Sequence, residues 1–392
     1  MITLVLVASA LSCMIMALFF FIHIGSREIR DPDLGDFAEL LEVIDERFIG
    51  EFDIDEIKAA AMHAAVESLD DDWSYYLTPA EYAEFLRHAN NRYTGIGVDV
   101  VIDDDTEGMK VLGVYGDSGA DLAGIVIGDI ITGVDGQSIA GLSLSEIRDL
   151  LRRPLGSSAV LTVLRSDGEY HLITVLYDVV FTNPVTFEML IGNIGYVKLR
   201  NFEESAADRF IDAVNELIEA GAAGFIYDVR NNNGGRVGEV TKILDFLLPE
   251  GEIFISVDRS GIENITRSDA NFIDLPAVVL VNQHSYSGAE FFAAMLYEYD
   301  YAATIGQQTT GKNRMQSTIP LSNGGAVHIS TGHYLTKNRI SLYDIGGFTP
   351  EFIITMTDEE SDLFNRNSLE KESDPQFIKA LSLLEITIDK RK

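Results

Sequence analysis

The chain has one cysteine, Cys13, in 392 residues. That excludes an intramolecular disulfide framework and a Cys-rich zinc site, and it leaves the redox compartment unmarked. Positive charge is also scarce: 29 Lys and Arg stand against 62 Asp and Glu, for a formal net charge of −33. Binding nucleic acid takes clustered cations that neutralise phosphate, so no nucleic-acid partner is expected. The His-Glu-x-x-His pattern of zinc peptidases is missing, and neither a metal nor another cofactor is expected. What is present is ordinary for a globular protein: 46% hydrophobic and 23% charged residues, in a length that suits two or three domains. The acidic surface is read as a solubility device rather than a trap for a basic substrate.

The longest apolar run, Ile2 to Ile24, exceeds the roughly 20 residues that cross a bilayer as a helix. It begins Met-Ile-Thr without a basic flank, and Phe19-Phe20-Phe21 carries it past any small-residue exit. An uncleaved anchor is therefore expected over a cleaved signal, with residues 1–26 as a transmembrane segment meeting the lipid bilayer through residues 2–24. Arg27 and Arg30 lie beyond it, where positive-inside logic would place the cytoplasm. Residues 27–92 follow as a helical region. Phe37, Leu40, Leu41, Ile44 and Phe48, then Ile57, Ala61, Ala65 and Leu69, recur at helical spacing. They suit a small bundle or an arm that joins two copies as a homodimer. Asp70-Asp71-Asp72 lacks the alternating ligands and central glycine of a calcium loop, and an exposed turn before the helix opening at Thr78-Pro79 is expected there.

From residue 93 the texture changes to short β-rich segments with frequent glycines. Val98 to Ile102, Lys110 to Val114, a strand pair within Ile125 to Val134, and a last strand at Ala159 to Arg165 surround a helix at Ser143 to Leu151. Thr94-Gly95-Ile96-Gly97-Val98 sets two glycines beside a strand, a pattern that serves either as a plain β-bulge or as a nest of backbone N–H groups for a peptide carboxylate. With Gly119-Ala120-Asp121-Leu122-Ala123-Gly124, Gly128-Asp129 and Val134-Asp135-Gly136, residues 93–168 resemble a bacterial PDZ domain, with Gly119 standing where a proline is usual. That resemblance implies binding of a substrate tail at Thr94, Gly95, Ile96, Gly97 and Val98.

The remaining half alternates strand and helix: Ile194 to Leu199, Ser205 to Ala220, Phe225 to Val229, Val237 to Leu248, Ala277 to Val281, Ala289 to Tyr297 and Ala303 to Ile305. Such a series predicts a largely parallel sheet covered by helices, with function gathered beyond the carboxyl ends of the strands. Three clusters fall there. Asp228-Val229-Arg230-Asn231-Asn232-Asn233-Gly234-Gly235 ends in glycines before a helix, either a tight turn or a source of free N–H groups for an oxyanion. His284-Ser285-Tyr286-Ser287-Gly288-Ala289-Glu290 sets Ser287 on a strand-to-helix turn, as a helix cap completed by Glu290 or as a nucleophile with the Gly288 N–H behind it. Thr309-Thr310-Gly311-Lys312-Asn313-Arg314-Met315-Gln316 offers a lysine, either a solvated charge or a base once burial lowers its pKa by about three units, or about 4 kcal/mol.

Jointly, these loops resemble the C-terminal processing peptidases, also called tail-specific serine proteases, which carry a PDZ domain and a Ser/Lys dyad. The resemblance extends to Leu69-Asp70-Asp71-Asp72-Trp73-Ser74-Tyr75-Tyr76-Leu77-Thr78-Pro79 and to the late Asp374-Pro375-Gln376. It implies Ser287 as nucleophile, Lys312 as base, Gln316 as the residue that orients the lysine, and Gly235 with Gly288 as the oxyanion hole. It also implies protein substrates with free carboxyl tails and a protease on the extracytoplasmic side of a single-pass membrane protein. Departures from the family pattern are Asn233 for proline, Tyr286 for alanine, Ala289 for serine and Asn313 for glycine. The expected fold is α/β: a serine protease core at 169–392 with a C-terminal helical tail, the inserted PDZ domain, and the N-terminal helical region behind the anchor. Two rivals stand beside this expectation, a Ser/His hydrolase using His284, His328 or His333, and a membrane-tethered PDZ adaptor whose protease half is inert.

Overall fold

The computed structural model describes residues 34–391 apart from 104 and 367. The apolar run at 2–24 lies outside the described residues; among those described, no helix is long and apolar enough to cross a membrane. The chain divides into two compact units at Ala65/Val66. In the first, α1 (Leu34–Arg47) and the start of α2 (Ile54–Glu67) leave Leu40, Val43 and Ile49 exposed. Of the periodic apolar stripe, Phe37, Leu40, Phe48 and Leu69 are exposed, whereas Leu41, Ile44, Ile57 and Ala61 are half-buried.

The second unit opens with a short strand, β1 (Tyr75–Leu77), and α3 (Pro79–Ala89), which Thr78 and Glu81 cap reciprocally. A two-stranded ribbon, β2 (Arg92–Gly95) with β9 (Asp178–Phe181), then carries the PDZ sheet. Its strands are β3 (Val98–Asp103), β4 (Gly108–Val114), β5 (Ile130–Val134), β6 (Gln137–Ser138), β7 (Ser158–Leu164) and β8 (Tyr170–Leu176), in the order β3-β4-β5-β7-β8 with β6 on β5. Two short helices, α4 (Gly119–Leu122) and α5 (Leu144–Leu150), close over a core of Val111, Ile131, Val134, Leu161 and Val163. The sheet thus runs past residue 168 to Leu176, because alternation in β8 adds a partner to β7 that the sequence reading ends without. Only one strand forms within 125–134, since Ile125 to Asp129 is spent on a turn closed by Asp129 Oδ2 accepting from the Val126 N–H. At Gly119 a Cβ would lie 1.8 Å from the Leu176 carbonyl oxygen, so the usual proline has no room.

The protease core is a six-stranded sheet in the order β10 (Val185–Leu190), β11 (Ile194–Leu199), β12 (Gly224–Asp228), β15 (Ala277–Val281), β16 (Ala302–Gly306) and β19 (Phe352–Ile353). All neighbours after β11 are parallel. Every residue of β12 and β15 is buried, as expected of strands covered on both faces. The amphipathic α6 (Ala206–Glu219), with α7 (Val237–Leu247) and the almost wholly buried α8 (Gly288–Glu298), packs on one face. The tail helix α10 (Pro375–Arg391), preceded by α9 (Asp358–Asn365), covers the other with Phe377, Ala380 and Leu384. A second, antiparallel sheet was not foreseen: β1, β18 (Ala326–Leu335), β13 (Gly251–Asp258) and β14 (Glu263–Ser268) in that order, with β17 (Arg314–Pro320) also on β18. It brings residues 71–75 to the loop that follows β16.

Candidate active site

The loops after β12, β15 and β16 meet. Ser287 sits between β15 and α8 at φ 55° and ψ −121°, a strained backbone that thrusts its side chain out of the turn. The loop after β12 packs directly behind it. A Cβ on Gly234 (φ 85°) would fall 2.7 Å from the Gly288 nitrogen and 2.8 Å from Ser287 Cβ, so only glycine fits. Asn232 holds that loop, its amide donating to the Leu199 carbonyl at 2.8 Å and its oxygen accepting the Gly234 N–H at 2.8 Å. The N–H groups of Gly235 and Gly288 take no internal acceptor among the described residues; flanking bonds from Phe202 and Arg236 secure the Gly235 strand. Two free donors therefore lie beside the serine.

Glu290 ties this turn to the lysine. Its side chain is wholly buried and accepts four hydrogen bonds: the Ser287 N–H (2.9 Å) and Lys312 N–H (2.6 Å) at Oε1, and the Gly311 N–H (2.8 Å) and Thr309 hydroxyl (2.7 Å) at Oε2. Burial still pushes its pKa above the ordinary carboxylate value. Glu290 thus does more than cap a helix: one carboxylate oxygen fixes the backbones of both Ser287 and Lys312. Tyr334, on β18, donates its hydroxyl to the Lys312 carbonyl, and the Ser287 side chain lies within hydrogen-bonding reach of the same phenol.

Lys312 is only 9% exposed, and burial lowers its pKa to about 8 against a residual pull from Asp71 and Glu290. Among the described residues its amine has no hydrogen bond or ion pair; it lies 4.2 Å over the Trp73 ring and 5.9 Å from that of Tyr286. The two rings are 6.0 Å apart and form its wall. Tyr286, the bulky departure from the family pattern, is thus part of that wall. Asn313, another departure, is buried and fastened to Ser341 Oγ at 2.8 Å. The turn at 70–72 is only partly the exposed feature expected: Asp70 and Asp72 are exposed, but Asp71 accepts the Ser74 hydroxyl and acts electrostatically on Lys312.

Gln316 makes no hydrogen bond to the lysine amine among the described residues. Its amide donates to Ser330 Oγ at 3.1 Å, because the β17–β18 register shifts between Met315 and Gln316 and sets Gln316 opposite Ser330. None of the three candidate histidines makes a hydrogen bond to Ser287: exposed His284 faces Gln283, and His328 hydrogen-bonds Thr318 and stacks on Tyr75. Burial and the Lys312 charge pull the His328 pKa down to about 4. Beneath the loops, Arg230 is buried between Asp228 (2.7 Å) and Asp374 (2.6 Å), with Tyr196 donating to Asp228 and Gln376 accepting from Arg230. This ionic floor joins the Asp228 motif to the late Asp374-Pro375-Gln376 motif. In the PDZ domain, the Gly95–Val98 loop leads from β2 into β3.

The chain is similar to known proteins in sequence and fold. The profile of peptidase family S41 matches residues 193–354, and that of the PDZ domain matches residues 110–165. A carboxy-terminal-processing protease of Bartonella bacilliformis is 29% identical over 331 residues, covering 82% of this chain and 75% of that one. The solved photosystem II D1 C-terminal processing protease is 27% identical with a TM-score of 0.50, over 81% of this chain and 86% of the other. A Bacteroides fragilis protein, solved as a candidate S41 protease, shares the fold at a TM-score of 0.59 and 18% identity, over 83% and 90% of the two chains.

Proposed function

This chain belongs to peptidase family S41, the carboxyl-terminal-processing serine proteases, and from that premise we propose that Ser287 and Lys312 form its catalytic dyad. Neutral Lys312 takes the Ser287 hydroxyl proton as Oγ bonds to the scissile carbonyl carbon. The tetrahedral oxyanion is held by the N–H groups of Gly235 and Gly288, each worth about 3 kcal/mol in a dry site. Collapse breaks the C–N bond, and the Lys312 ammonium protonates the leaving amine. Lys312 next deprotonates a water that attacks the acyl-enzyme ester, and Ser287 regains its proton.

The observation that carries this reading is the shared Glu290 oxygen, which locks the two backbones together around a buried amine that makes no ion pair among the described residues. Substrate proteins would present a free carboxyl tail to Thr94–Val98, adding as a strand on β3. The apolar run at 2–24 supports tethering to a bilayer; the family resemblance, against the charge bias of Arg27 and Arg30, favours a protease on the extracytoplasmic side, and protease protection of sealed vesicles would test that placement. For the chemistry, tail-bearing peptides are incubated with the protein and with a Ser287→Ala variant and the products weighed by mass spectrometry. Cleavage by the first alone, weaker on amidated tails, is expected. Cleavage by the variant would remove Ser287 as nucleophile, and no cleavage of any tail by either would favour the inert adaptor.

A further inference from the structure

The tail groove has a wall from outside the PDZ domain. Strand β3 pairs only with β4, so its other edge is open. Beside that edge lies a cavity of about 190 Å³ lined by Val100, Ile102, Ile147 and Leu151, with Arg148 of α5 on one side and Asn365 and Arg366, at the end of α9 in the protease core, on another. Arg366 is held there by its neighbours. The Phe364 ring packs 4.4 Å from the buried Arg230 guanidinium, and Asn365 accepts from the Asn231 amide at 3.1 Å.

Among the described residues neither Arg148 nor Arg366 has a carboxylate within ion-pair distance, in a chain with 62 acidic residues and 29 basic ones. Three neighbouring carboxylates have partners of their own: Glu146 caps Ser143, Asp103 accepts from Thr106, and Asp149 pairs with Arg152 at 3.8 Å. A tail running antiparallel to β3, its carboxylate at the Gly95–Val98 loop, places its residues about two to four positions before the end beside Val100 to Ile102. Those residues meet an apolar floor flanked by two unpaired guanidiniums.

We propose that Arg148 and Arg366 make this groove selective for protein tails carrying acidic side chains a few residues before an apolar carboxyl end, so that the tail is read jointly by the PDZ domain and the protease core. The inference rests on the tail-binding reading of Thr94–Val98. Two rim ion pairs together give about five- to tenfold in affinity at low salt, falling as salt is added.

The test uses the full chain with Ser287→Ala, to prevent turnover, and fluorescein-labelled peptides sharing one apolar C-terminal tripeptide but bearing Glu-Glu, Ala-Ala or Lys-Lys before it. Fluorescence anisotropy is expected to rank them Glu, Ala, Lys, with the spread shrinking in 0.5 M NaCl. Arg366→Glu should invert the order, and Arg366→Lys should keep it. Equal affinities for the three peptides, or an order unchanged in both Arg366→Glu and Arg148→Glu, would overturn the proposal. Amidated versions separate the two levels: if these bind as well as the free acids, the tail-binding reading itself fails, whatever the charge ranking.

Discussion

Trp73 is the one tryptophan of the chain, and its ring lies 4.2 Å from the Lys312 amine. Indole emission therefore reports the charge on the base. Burial lowers the lysine pKa from 10.5 to about 8, a shift equivalent to roughly 3 kcal/mol between ammonium and amine. Because the folded pKa is depressed, the unfolded chain binds the proton more tightly. The cost to stability is full below pH 8 and disappears as pH rises toward 10.5. A fluorescence titration from pH 6 to 10 should show a transition centred near 8, below the range where ordinary tyrosines ionise, and Lys312→Met should abolish it. The same variant should gain up to about 3 kcal/mol in urea unfolding at pH 7 and little at pH 10.5. A lysine titrating above pH 10, or a transition that survives Lys312→Met, would refute the buried-base account.

Other perturbations separate the supports of the site. Glu290→Gln leaves an amide NH₂ facing the Gly311 N–H and Thr309 hydroxyl, so stability should fall by about 2 kcal/mol and kcat by about a hundredfold, read by urea unfolding and initial rates. Arg230→Met strips the buried cation from Asp228 and Asp374 and should cost about 3–5 kcal/mol, seen as a lower denaturation midpoint. Gly234→Ala would push a methyl against the Gly288 nitrogen and should cut kcat sharply while leaving tail binding intact, as measured by the same anisotropy assay.

The parallel sheet was legible because its strands are buried on both faces and so run almost continuously apolar, as Ala277–Val281 does throughout and Gly224–Asp228 does up to its last residue. The second sheet was hidden by the opposite property. Strands such as Arg314–Pro320 and Ala326–Leu335 are half-buried and mix His, Ser and Thr with apolar residues, and β1 is only three residues long. Trp73 and Asp71 were missed for the same reason, since a run of three aspartates looks exposed until β1 pairs with β18. Glu290 gave a local signal, three residues after Ser287, but its bonds to Gly311 and Lys312 span more than twenty residues and leave no periodic trace. Gln316 shows the converse: the family resemblance implied that it orients the lysine, whereas its hydrogen bond to Ser330 follows from a register shift that the motif does not reveal.

The central claim is that the Lys312 amine, made neutral by burial, activates Ser287. Covalent labelling by a fluorophosphonate across pH 6 to 10, with the modified residue located by mass spectrometry, tests it most directly. The account predicts phosphonylation of Ser287 Oγ with loss of fluoride, a rate rising through a midpoint near 8, and at least a hundredfold slower labelling in folded Lys312→Met. Labelling of another residue, or an unchanged rate and pH profile in that variant, would contradict it.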